Sequence, residues 1–278
     1  MIYLAQILAL ALPFAALERI PRLRLRPASF RRPWFGSDLT YLATGYATGA
    51  SLGTAYIVAG SRWLEAVVGV PGILAADASG VTVVPAWASA VLALVCIDLG
   101  NYAAHWLLHR SAGLWEIHKI HHSSPTLDWL ATFRSHLLEQ ALRRLLAPLL
   151  LIVLGVPVQS VAAAYGLFLA FAVWNHSNIK ASSAWLLEPL FITPRLHRVH
   201  HVPATTGCNL GTVFSLWDRA LGTLVVPQPT EASGFGVPGE VETYPQGWWR
   251  QLVEPPARVL GLRRSAPPES VSSAGLRA

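Results

Sequence analysis

All ten histidines of this 278-residue chain lie between His105 and His201, and the rest of the sequence contains none. Eight of them form three tight clusters: His105 and His109; His118, His121 and His122; and His197, His200 and His201. Residues three or four positions apart lie on one face of a helix, so each cluster directs its imidazoles the same way. One such pair is typical of a packed core, but three clusters predict a site for more than one metal ion.

The type of ligand narrows the choice of metal. Imidazoles without thiolates favour iron, zinc, copper or nickel over magnesium and calcium. Asp98 and Asn101 precede His105 and His109 in steps of three and four on one helical stripe, where they could orient the ligands or hydrogen-bond to another helix. Several carboxylates could offset the charge of the metals or be paired at the surface: Asp98, Glu116, Asp128, Glu139 and Asp218.

The composition indicates a membrane protein, because only 13% of the residues are charged, against about 25% in an ordinary soluble domain. The apolar residues gather in four blocks, at 1–17, 39–60, 81–99 and 145–174. About 20 apolar residues cross the hydrocarbon core as a helix. No cleavage pattern follows the first block, which favours a retained segment over a secretory signal. Pro148 and Gly155-Val156-Pro157 interrupt the last block, which predicts a helical hairpin there.

The distribution of charge predicts the orientation in the membrane. Six arginines follow the first block: Arg19, Arg22, Arg24, Arg26, Arg31 and Arg32. The positive-inside rule puts them in the cytoplasm, and tracing the blocks from there brings every histidine to the cytoplasmic side. The net charge of +6 fits anchoring at a membrane surface rather than binding of nucleic acid. Cys96 and Cys208 are predicted to be buried thiols without a disulfide.

The histidine clusters resemble the boxes of the fatty acid hydroxylase and sterol desaturase superfamily, a group of integral-membrane di-iron enzymes, from His105 to Thr223. His105-Trp-Leu-Leu-His109 matches the first box, His118-Lys-Ile-His-His122 the second and His197-Arg-Val-His-His201 the third. Arg134-Ser-His136-Leu-Leu-Glu139 and Asn175-His176-Ser-Asn resemble the segments that carry the family's additional histidines. The stretch from Asn209 through Trp217-Asp218-Arg219 to Gly222-Thr223 is similar to the closing segment. Leu137 is a departure, since the family often has proline there.

The resemblance implies two iron ions as cofactor, O2 as co-substrate and an oxidised C–H bond on a lipid. The implied metal ligands are His105, His109, His118, His121, His122, His136, His176, His197, His200 and His201. The residues expected to orient them are Asp98, Asn101, Glu139, Asn175 and Asp218. An apolar tunnel between the membrane helices is expected to admit the lipid chain.

Electrons for the irons must come from another protein, because the chain contains no haem-attachment, iron–sulfur or dinucleotide-binding motif. The expected donor is a ferredoxin or a b-type cytochrome with its reductase. Five arginines close to the clusters suit docking of this donor or contact with lipid phosphates: Arg110, Arg143, Arg144, Arg195 and Arg198.

The expected fold is all-α and integral to the membrane, with about four transmembrane or re-entrant helices. A cytoplasmic helical cap is expected to hold the histidine-rich di-metal centre. Residues 1–255 are predicted to form one domain, with the histidine-box region at 98–223, and residues 256–278 a disordered tail. The expected location is a bacterial inner membrane.

The main predicted function is hydroxylation of a fatty acyl, sphingoid, sterol, hopanoid, carotenoid or ether lipid. A lipid desaturase with the same site stays open, because desaturation begins with the same hydrogen abstraction. A membrane metal transporter or metal store is a different class, but transporters have their ligands near the bilayer midplane, whereas these clusters follow the apolar blocks. A zinc hydrolase needs three protein ligands, fewer than this sequence offers.

Overall fold

The computed structural model describes residues 2–27, 32–48, 54–68, 84–146, 148–227 and 234–262. Within these ranges the chain is helical, and its β interactions are two isolated bridges, Arg24 with Ile179 and Phe191 with Phe214. The α-helices are α1 Ile2–Leu17, α2 Phe35–Thr48, α3 Thr54–Val68, α4 Ala86–Arg110, α5 Ala112–His122, α6 Leu137–Leu146, α7 Leu149–Leu154, α8 Val158–His176, α9 Pro194–His200, α10 Leu216–Leu221 and α11 Trp248–Val259. The all-α prediction is therefore confirmed.

Two helices of the described part are long and apolar enough to cross a membrane, α4 with 25 residues and α8 with 19. The apolar helix α1 is shorter. Buried side chains of α4, α7 and α8 form a common core: Ala93, Leu94, Cys96, Ile97, Leu151, Val161 and Ala164. Apolar residues of α7 and α8 are also exposed, among them Val153, Val158 and Leu167, as contact with lipid requires. The count of four membrane helices and the cytoplasmic position of the cap remain predictions.

The second and last apolar blocks are each divided between helices. The described residues of the second block lie in α2 and α3, and residues 49–53 between them lie outside the described part. The last block breaks where predicted. α7 ends at Leu154, and the next residue, Gly155, has a φ of 64°, a left-handed conformation that glycine adopts at little cost. Pro157 then precedes the first residue of α8. Residues 81–83 of the third block are also outside the described part.

A tight corner joins α4 to α5 and positions the first two histidine clusters. Ser111 ends α4 and begins α5, where its hydroxyl accepts a hydrogen bond from the backbone N–H of Leu114. The last two turns of α4 therefore lie beside α5. The third cluster lies at the end of α9, with His201 directly after its last residue. This helix has Pro194 in its first turn, and the hydroxyl of Thr193 accepts a hydrogen bond from the backbone N–H of Leu196.

The last helix, α11, extends beyond the predicted domain boundary at residue 255. It contains Pro255 and Pro256, whose missing N–H groups leave the carbonyls one turn earlier without their helical donors. For Leu252 the replacement donor is Nε2 of His136, 3.0 Å from the Leu252 carbonyl oxygen. Residues 256–259 of the predicted tail are therefore helical, and residues 263–278 lie outside the described part.

Candidate metal centre

The structure brings nine of the ten histidines together in two neighbouring groups. In each group, one nitrogen from every ring lies within 4.8 Å of the others. The five-histidine group consists of His105, His109, His118, His122 and His200, and the four-histidine group of His121, His176, His197 and His201. The groups adjoin, since the ring centroids of His122 and His201 are 4.7 Å apart. This arrangement suits two metal ions side by side.

Helix geometry explains why the second and third clusters contribute to both groups. His118 and His122 are four residues apart on α5 and share a face, so both join the five-histidine group, while the intervening His121 joins the other. The third cluster divides the opposite way. His197 and His201 join the four-histidine group and His200 the five-histidine group.

The hydrogen bonds of the four-histidine group direct lone pairs towards one another. Nδ1 of His121 faces the carbonyl oxygen of Arg134 at 3.1 Å, and Nδ1 of His176 faces that of Ala172 at 2.8 Å. Each Nδ1 must therefore carry the proton, which leaves a lone pair on Nε2 of the neutral ring. These two Nε2 atoms are only 3.2 Å apart. Two lone pairs at this distance repel unless a cation lies between them.

The five-histidine group has the same property. Nδ1 of His105 donates to the carbonyl of Leu210 at 2.8 Å, and Nδ1 of His118 lies 3.0 Å from Oε1 of Glu139. Their Nε2 atoms, left as acceptors, are 3.1 Å apart. His200 donates through Nδ1 to the carbonyl of Cys208 at 2.8 Å, and its buried Nε2 has no hydrogen-bond partner among the described residues. Both nitrogens of His122 are likewise buried and unpaired there.

The spacing of these nitrogens fits ligands of one ion. A metal–imidazole bond is about 2.1 Å long, so two nitrogens that bind at right angles lie about 3.0 Å apart. Within the four-histidine group, Nε2 of His176 is 3.1 Å from Nε2 of His197, which is 3.2 Å from Nε2 of His201. The residues present therefore fit two metal ions held by nitrogen.

Burial keeps these rings in the neutral form that binds metal. Loss of contact with water lowers the pKa of His200 to about 3. The same cause lowers the pKa of the other histidines of α5 and α9 well below the usual value: His118, His121, His122, His197 and His201. At neutral pH no proton therefore competes for their lone pairs.

His136, the tenth predicted ligand, lies outside both groups. Its Nδ1 accepts a hydrogen bond from the backbone N–H of Leu138 at 3.0 Å, and its Nε2 donates to the carbonyl of Leu252 at 3.0 Å. Both ring nitrogens are engaged, so neither can bind a metal without breaking a hydrogen bond. His136 instead ties the start of α6 to the proline-containing turn of α11.

Glu139, one of the predicted orienting residues, lies directly against the ring of His118. Its Oε1 is 3.0 Å from Nδ1 of His118 and 2.9 Å from Nε of Arg143. Arg143 also donates to Oδ1 of Asn101 at 2.6 Å. A carboxylate on the far nitrogen of a histidine fixes the ring orientation and makes the ligand more basic.

The other predicted orienting residues hold the backbone segment 208–217 in place. Asp98 accepts hydrogen bonds from the N–H groups of Val213 and Phe214 and from Nε1 of Trp217, each at 2.9 Å. The side-chain amides of Asn101 and Asn175 both donate to Thr212, to its hydroxyl and its carbonyl respectively. These three residues therefore fix the position of the segment.

Asp218 binds the same backbone segment beside the carbonyl that accepts a hydrogen bond from His105. Its two carboxylate oxygens accept hydrogen bonds from the N–H groups of Leu210 at 2.7 Å and Gly211 at 2.8 Å. Burial raises the pKa of Asp218, and these hydrogen bonds oppose that effect. Because the carbonyl of Leu210 accepts a hydrogen bond from His105, Asp218 holds in place a carbonyl that orients the His105 ring.

Some functional groups of this site were not predicted from the sequence. The carbonyls of Arg134, Ala172, Cys208 and Leu210 fix the histidine tautomers, and any residue type can supply a carbonyl. Trp115 packs its ring against His109, with centroids 5.0 Å apart. In contrast, Glu116 and Asp128 are engaged away from the histidines, with Lys119 at 2.5 Å and Arg32 at 2.6 Å. Cys96 and Cys208 are buried and form no disulfide.

A cavity of about 230 Å³ opens beside both histidine groups. Its lining includes His105 from the five-histidine group and three members of the four-histidine group: His121, His176 and His197. One wall is apolar and consists of residues of α1 and α8: Ile7, Phe168, Leu169 and Ala172. The lining also includes polar residues, among them Asn101, Glu139, Arg143 and Thr212. The space next to the histidines is thus amphipathic, whereas the sequence predicted an apolar tunnel.

The fold and the site define a helical membrane protein with a histidine-rich site suited to two metal ions. Residues 90–223, just under half of the chain, match the sequence profile of the fatty acid hydroxylase family. The match begins within α4, runs through α5 to α10 and ends after the segment with Asp218. The predicted resemblance is confirmed.

Curated relatives are lipid-oxidising enzymes. The chain is 34% identical over 171 residues to an ornithine lipid hydroxylase of Rhizobium tropici, covering 60% of this chain and 50% of the relative. It is 29% identical over 134 residues to the alkylglycerol monooxygenase of Danio rerio and 29% over 140 residues to that of Homo sapiens. These matches cover 48% and 49% of this chain, but 29% and 30% of the relatives. The chain thus spans half or less of the relatives it matches. No solved structure matches it.

Proposed function

We propose that the protein is a membrane-bound oxidoreductase that uses O2 and two iron ions to hydroxylate a C–H bond of a lipid. The observation that carries the proposal is the pair of adjacent histidine groups, five and four buried imidazoles with their lone pairs turned inward. A zinc hydrolase would need only three of them. The names of the relatives, an ornithine lipid hydroxylase and alkylglycerol monooxygenases, support a lipid substrate.

The iron ions are held by nine histidines: His105, His109, His118, His122 and His200 in one group, and His121, His176, His197 and His201 in the other. When bound, two irons supply the activation of dioxygen that allows hydrogen to be taken from an unactivated carbon. The protein keeps the imidazoles neutral by burial and fixes their tautomers with backbone carbonyls and Glu139. Positive charge that develops on the metal-bound imidazoles is therefore stabilised by carbonyl dipoles and a carboxylate that are already oriented towards them.

The cavity beside the histidines positions the substrate. Its apolar wall, with Phe168 and Leu169, binds the hydrocarbon part of the lipid and excludes water from the reacting bond. Its polar residues, such as Asn101 and Arg143, bind an oxygen-bearing group of the same molecule. The C–H bond to be oxidised then lies against His105, His121, His176 and His197.

The protein is a multi-pass membrane protein with its histidines on the cytoplasmic side, in the inner membrane of a bacterium. The arginines that follow α1 support this orientation. Its electron donor is a ferredoxin or a b-type cytochrome with its reductase. Arg110, which is exposed and lies 5.6 Å from the ring centroid of Trp106, supports docking near the end of α4. Arg143 and Arg195 are engaged by Glu139 and Glu188, so they are less suited to docking.

The test is turnover with isotopically labelled dioxygen. The purified, iron-loaded chain is supplied with a reductant and a bacterial lipid extract, and the lipids are analysed by mass spectrometry. A lipid that gains one labelled oxygen atom is expected, and His118→Ala or His201→Ala, one from each group, should abolish the product. His136→Ala is the matched histidine control and should retain it. Hydrolysed lipids, or a hydroxyl without the label, would overturn the proposal, and an unlabelled new double bond would identify a desaturase instead.

A further inference from the structure

Trp115 packs its indole ring against two histidines of the five-histidine group. The centroid of the indole lies 5.0 Å from that of His109 and 5.2 Å from that of His122. These separations are typical of aromatic rings in contact, so an electron can pass from the indole to the imidazoles. Indole and phenol rings are among the protein groups that lose one electron most easily.

The proposed reaction gives this contact a consequence. An oxidant that takes hydrogen from an unactivated carbon can also take an electron from indole, because the saturated C–H bond is the harder of the two to oxidise. Reduction of O2 to water requires four electrons, and in the proposed hydroxylation two come from the donor protein and two from the lipid. When no lipid is bound, the last two electrons must come from groups of the protein.

A series of aromatic rings connects Trp115 to the surface. Trp115 packs against a buried cluster that contains Tyr41, Ile120, Val237 and Tyr244. Trp248, the first residue of α11, packs against the same cluster. The ring centroids of Trp248 and Trp249 are 6.0 Å apart, and Trp249 is 67% exposed. Aromatic contacts therefore lead from His109 and His122 to the surface of the protein.

Hydrogen bonds fix the rings of this series in place. The hydroxyl of Tyr41 donates to Oε1 of Gln251 at 2.9 Å. The backbone N–H of Trp248 donates to the hydroxyl of Ser37 at 3.0 Å. Because the rings are held in packed positions, little rearrangement accompanies the transfer of an electron between them.

The two tyrosines of the cluster are poor end points for the oxidation. A phenol retains an oxidising equivalent only when its proton passes to an acceptor, and the buried hydroxyl of Tyr244 has no hydrogen-bond partner among the described residues. The acceptor for Tyr41 is an amide oxygen, which is a weak base. An oxidised indole persists as a cation without such an acceptor. The oxidising equivalent therefore moves on to Trp248 and to Trp249, where water can accept a proton.

The same chemistry determines the direction of transfer. Indole does not accept an electron at the potentials of biological reductants, so the series cannot serve as stepping stones for electrons from the donor protein. Anchoring at a bilayer interface is a common role of an exposed tryptophan such as Trp249. That role does not account for an indole packed on two histidines, as Trp115 is.

We propose that Trp115, Trp248 and Trp249 carry oxidising equivalents from the metal site to the surface when no lipid is bound, which protects the histidines from oxidation. The proposal rests on the proposed function. Trp115 gives one electron to the site, Trp248 then gives one to Trp115, and Trp249 gives one to Trp248. Trp249 loses its indole proton to water, and a soluble one-electron reductant of the ascorbate class returns one electron and one proton. Two electrons delivered in this way, with two protons from solvent, complete the reduction of O2 to water.

The test locates the residues that are oxidised in the absence of lipid. The full, detergent-purified, iron-loaded chain is reduced with dithionite and exposed to O2 in repeated cycles, and peptide mass spectrometry measures the oxygen added at each residue. Trp249 should be modified, and excess ascorbate should suppress the modification. Trp87 and Trp185 are internal controls for diffusing oxidants, because they are 73% and 57% exposed but do not belong to the series.

Two substitutions test the path itself. Trp115→Phe keeps an aromatic ring that is much harder to oxidise, so the modification should move from Trp249 to His109 and His122, and iron should be lost several times faster per cycle. Trp185→Phe is the matched control and should change neither result. Trp249→Phe alters an exposed side chain that the fold does not need, and the modification should then end at Trp248.

Each outcome decides the proposal. Excess modification of Trp249 over Trp185 that disappears in Trp115→Phe supports the path, as does its shift to Trp248 in Trp249→Phe. Equal modification of Trp249 and Trp185, or an excess that persists in Trp115→Phe, overturns it. A parallel sample with a bacterial lipid extract separates the two proposals. Hydroxylated lipid there, without excess modification of Trp249 in the lipid-free sample, overturns the path alone, whereas the absence of both products overturns the proposed function and the path with it.

Discussion

Removal of the Glu139 carboxylate should weaken metal binding without unfolding the site. Oε1 lies 3.0 Å from Nδ1 of His118 and 2.9 Å from Nε of Arg143, and the side chain is buried. Loss of a carboxylate that supports a metal-bound histidine typically costs 10–100-fold in affinity, or about 1.4–2.7 kcal/mol. Glu139→Ala should fall near the upper value, because it also leaves Arg143 without its carboxylate. Glu139→Gln keeps an acceptor oxygen and should fall near the lower one.

The assay is competition between the purified protein and a calibrated chelator, which gives the iron affinity of each variant. Glu254→Ala is the matched control. Glu254 forms the same kind of ion pair four residues away along a helix, with Nε of Arg250 2.7 Å from its Oε1, but its helix, α11, carries no metal ligand. An unchanged iron affinity in Glu139→Ala, or an equal loss in Glu254→Ala, would refute the role assigned to Glu139.

Three further predictions concern groups around the site. His136→Ala should retain the wild-type metal content, because both ring nitrogens of His136 are hydrogen-bonded outside the two histidine groups, and lose about 1–3 kcal/mol of unfolding free energy, because the carbonyl of Leu252 loses its donor; elemental analysis and denaturant unfolding measure the two effects. Asp218→Ala should lower the unfolding free energy by about 3 kcal/mol, since two buried N–H groups lose their acceptor, and a chelator titration should show weaker metal binding as the Leu210 carbonyl moves. Burial raises the pKa of Glu18 from 4.5 to about 7, so its contribution to stability is present below pH 4.5 and is lost as the pH rises through 7. Glu18→Gln keeps an acceptor for the N–H groups of Trp129 and Asn178 and should exceed the wild type in stability by about 3 kcal/mol near pH 8, an advantage that disappears near pH 5 in unfolding curves.

Much of the metal centre could be predicted because helical spacing is a local property. Residues four apart, such as His118 and His122, must share a face wherever the helix lies, so the clusters alone indicated convergent ligands. The division into five and four could not be read from the sequence. It depends on how α5 and α9 are rotated about their axes when they meet α4 and α8, and no local pattern encodes that rotation.

His136 shows the limit of a motif. Its segment resembles one that carries a ligand, but the proline pair in α11, more than a hundred residues away, leaves a carbonyl that accepts a hydrogen bond from its Nε2. The apolar pattern was similarly incomplete. It predicted the helices α4 and α8, but the described residues of the single block 39–60 belong to two helices, α2 and α3, because hydrophobicity alone marks no helix ends.

The most direct test of the central claim is the metal content of the purified chain. Protein is expressed in iron-replete medium, purified in detergent and analysed by elemental mass spectrometry against its amino-acid concentration. Two irons per chain are predicted, with a clear loss in both His118→Ala and His201→Ala. A chain that binds a single zinc ion, or no metal, would contradict the account of the nine histidines as a di-iron centre.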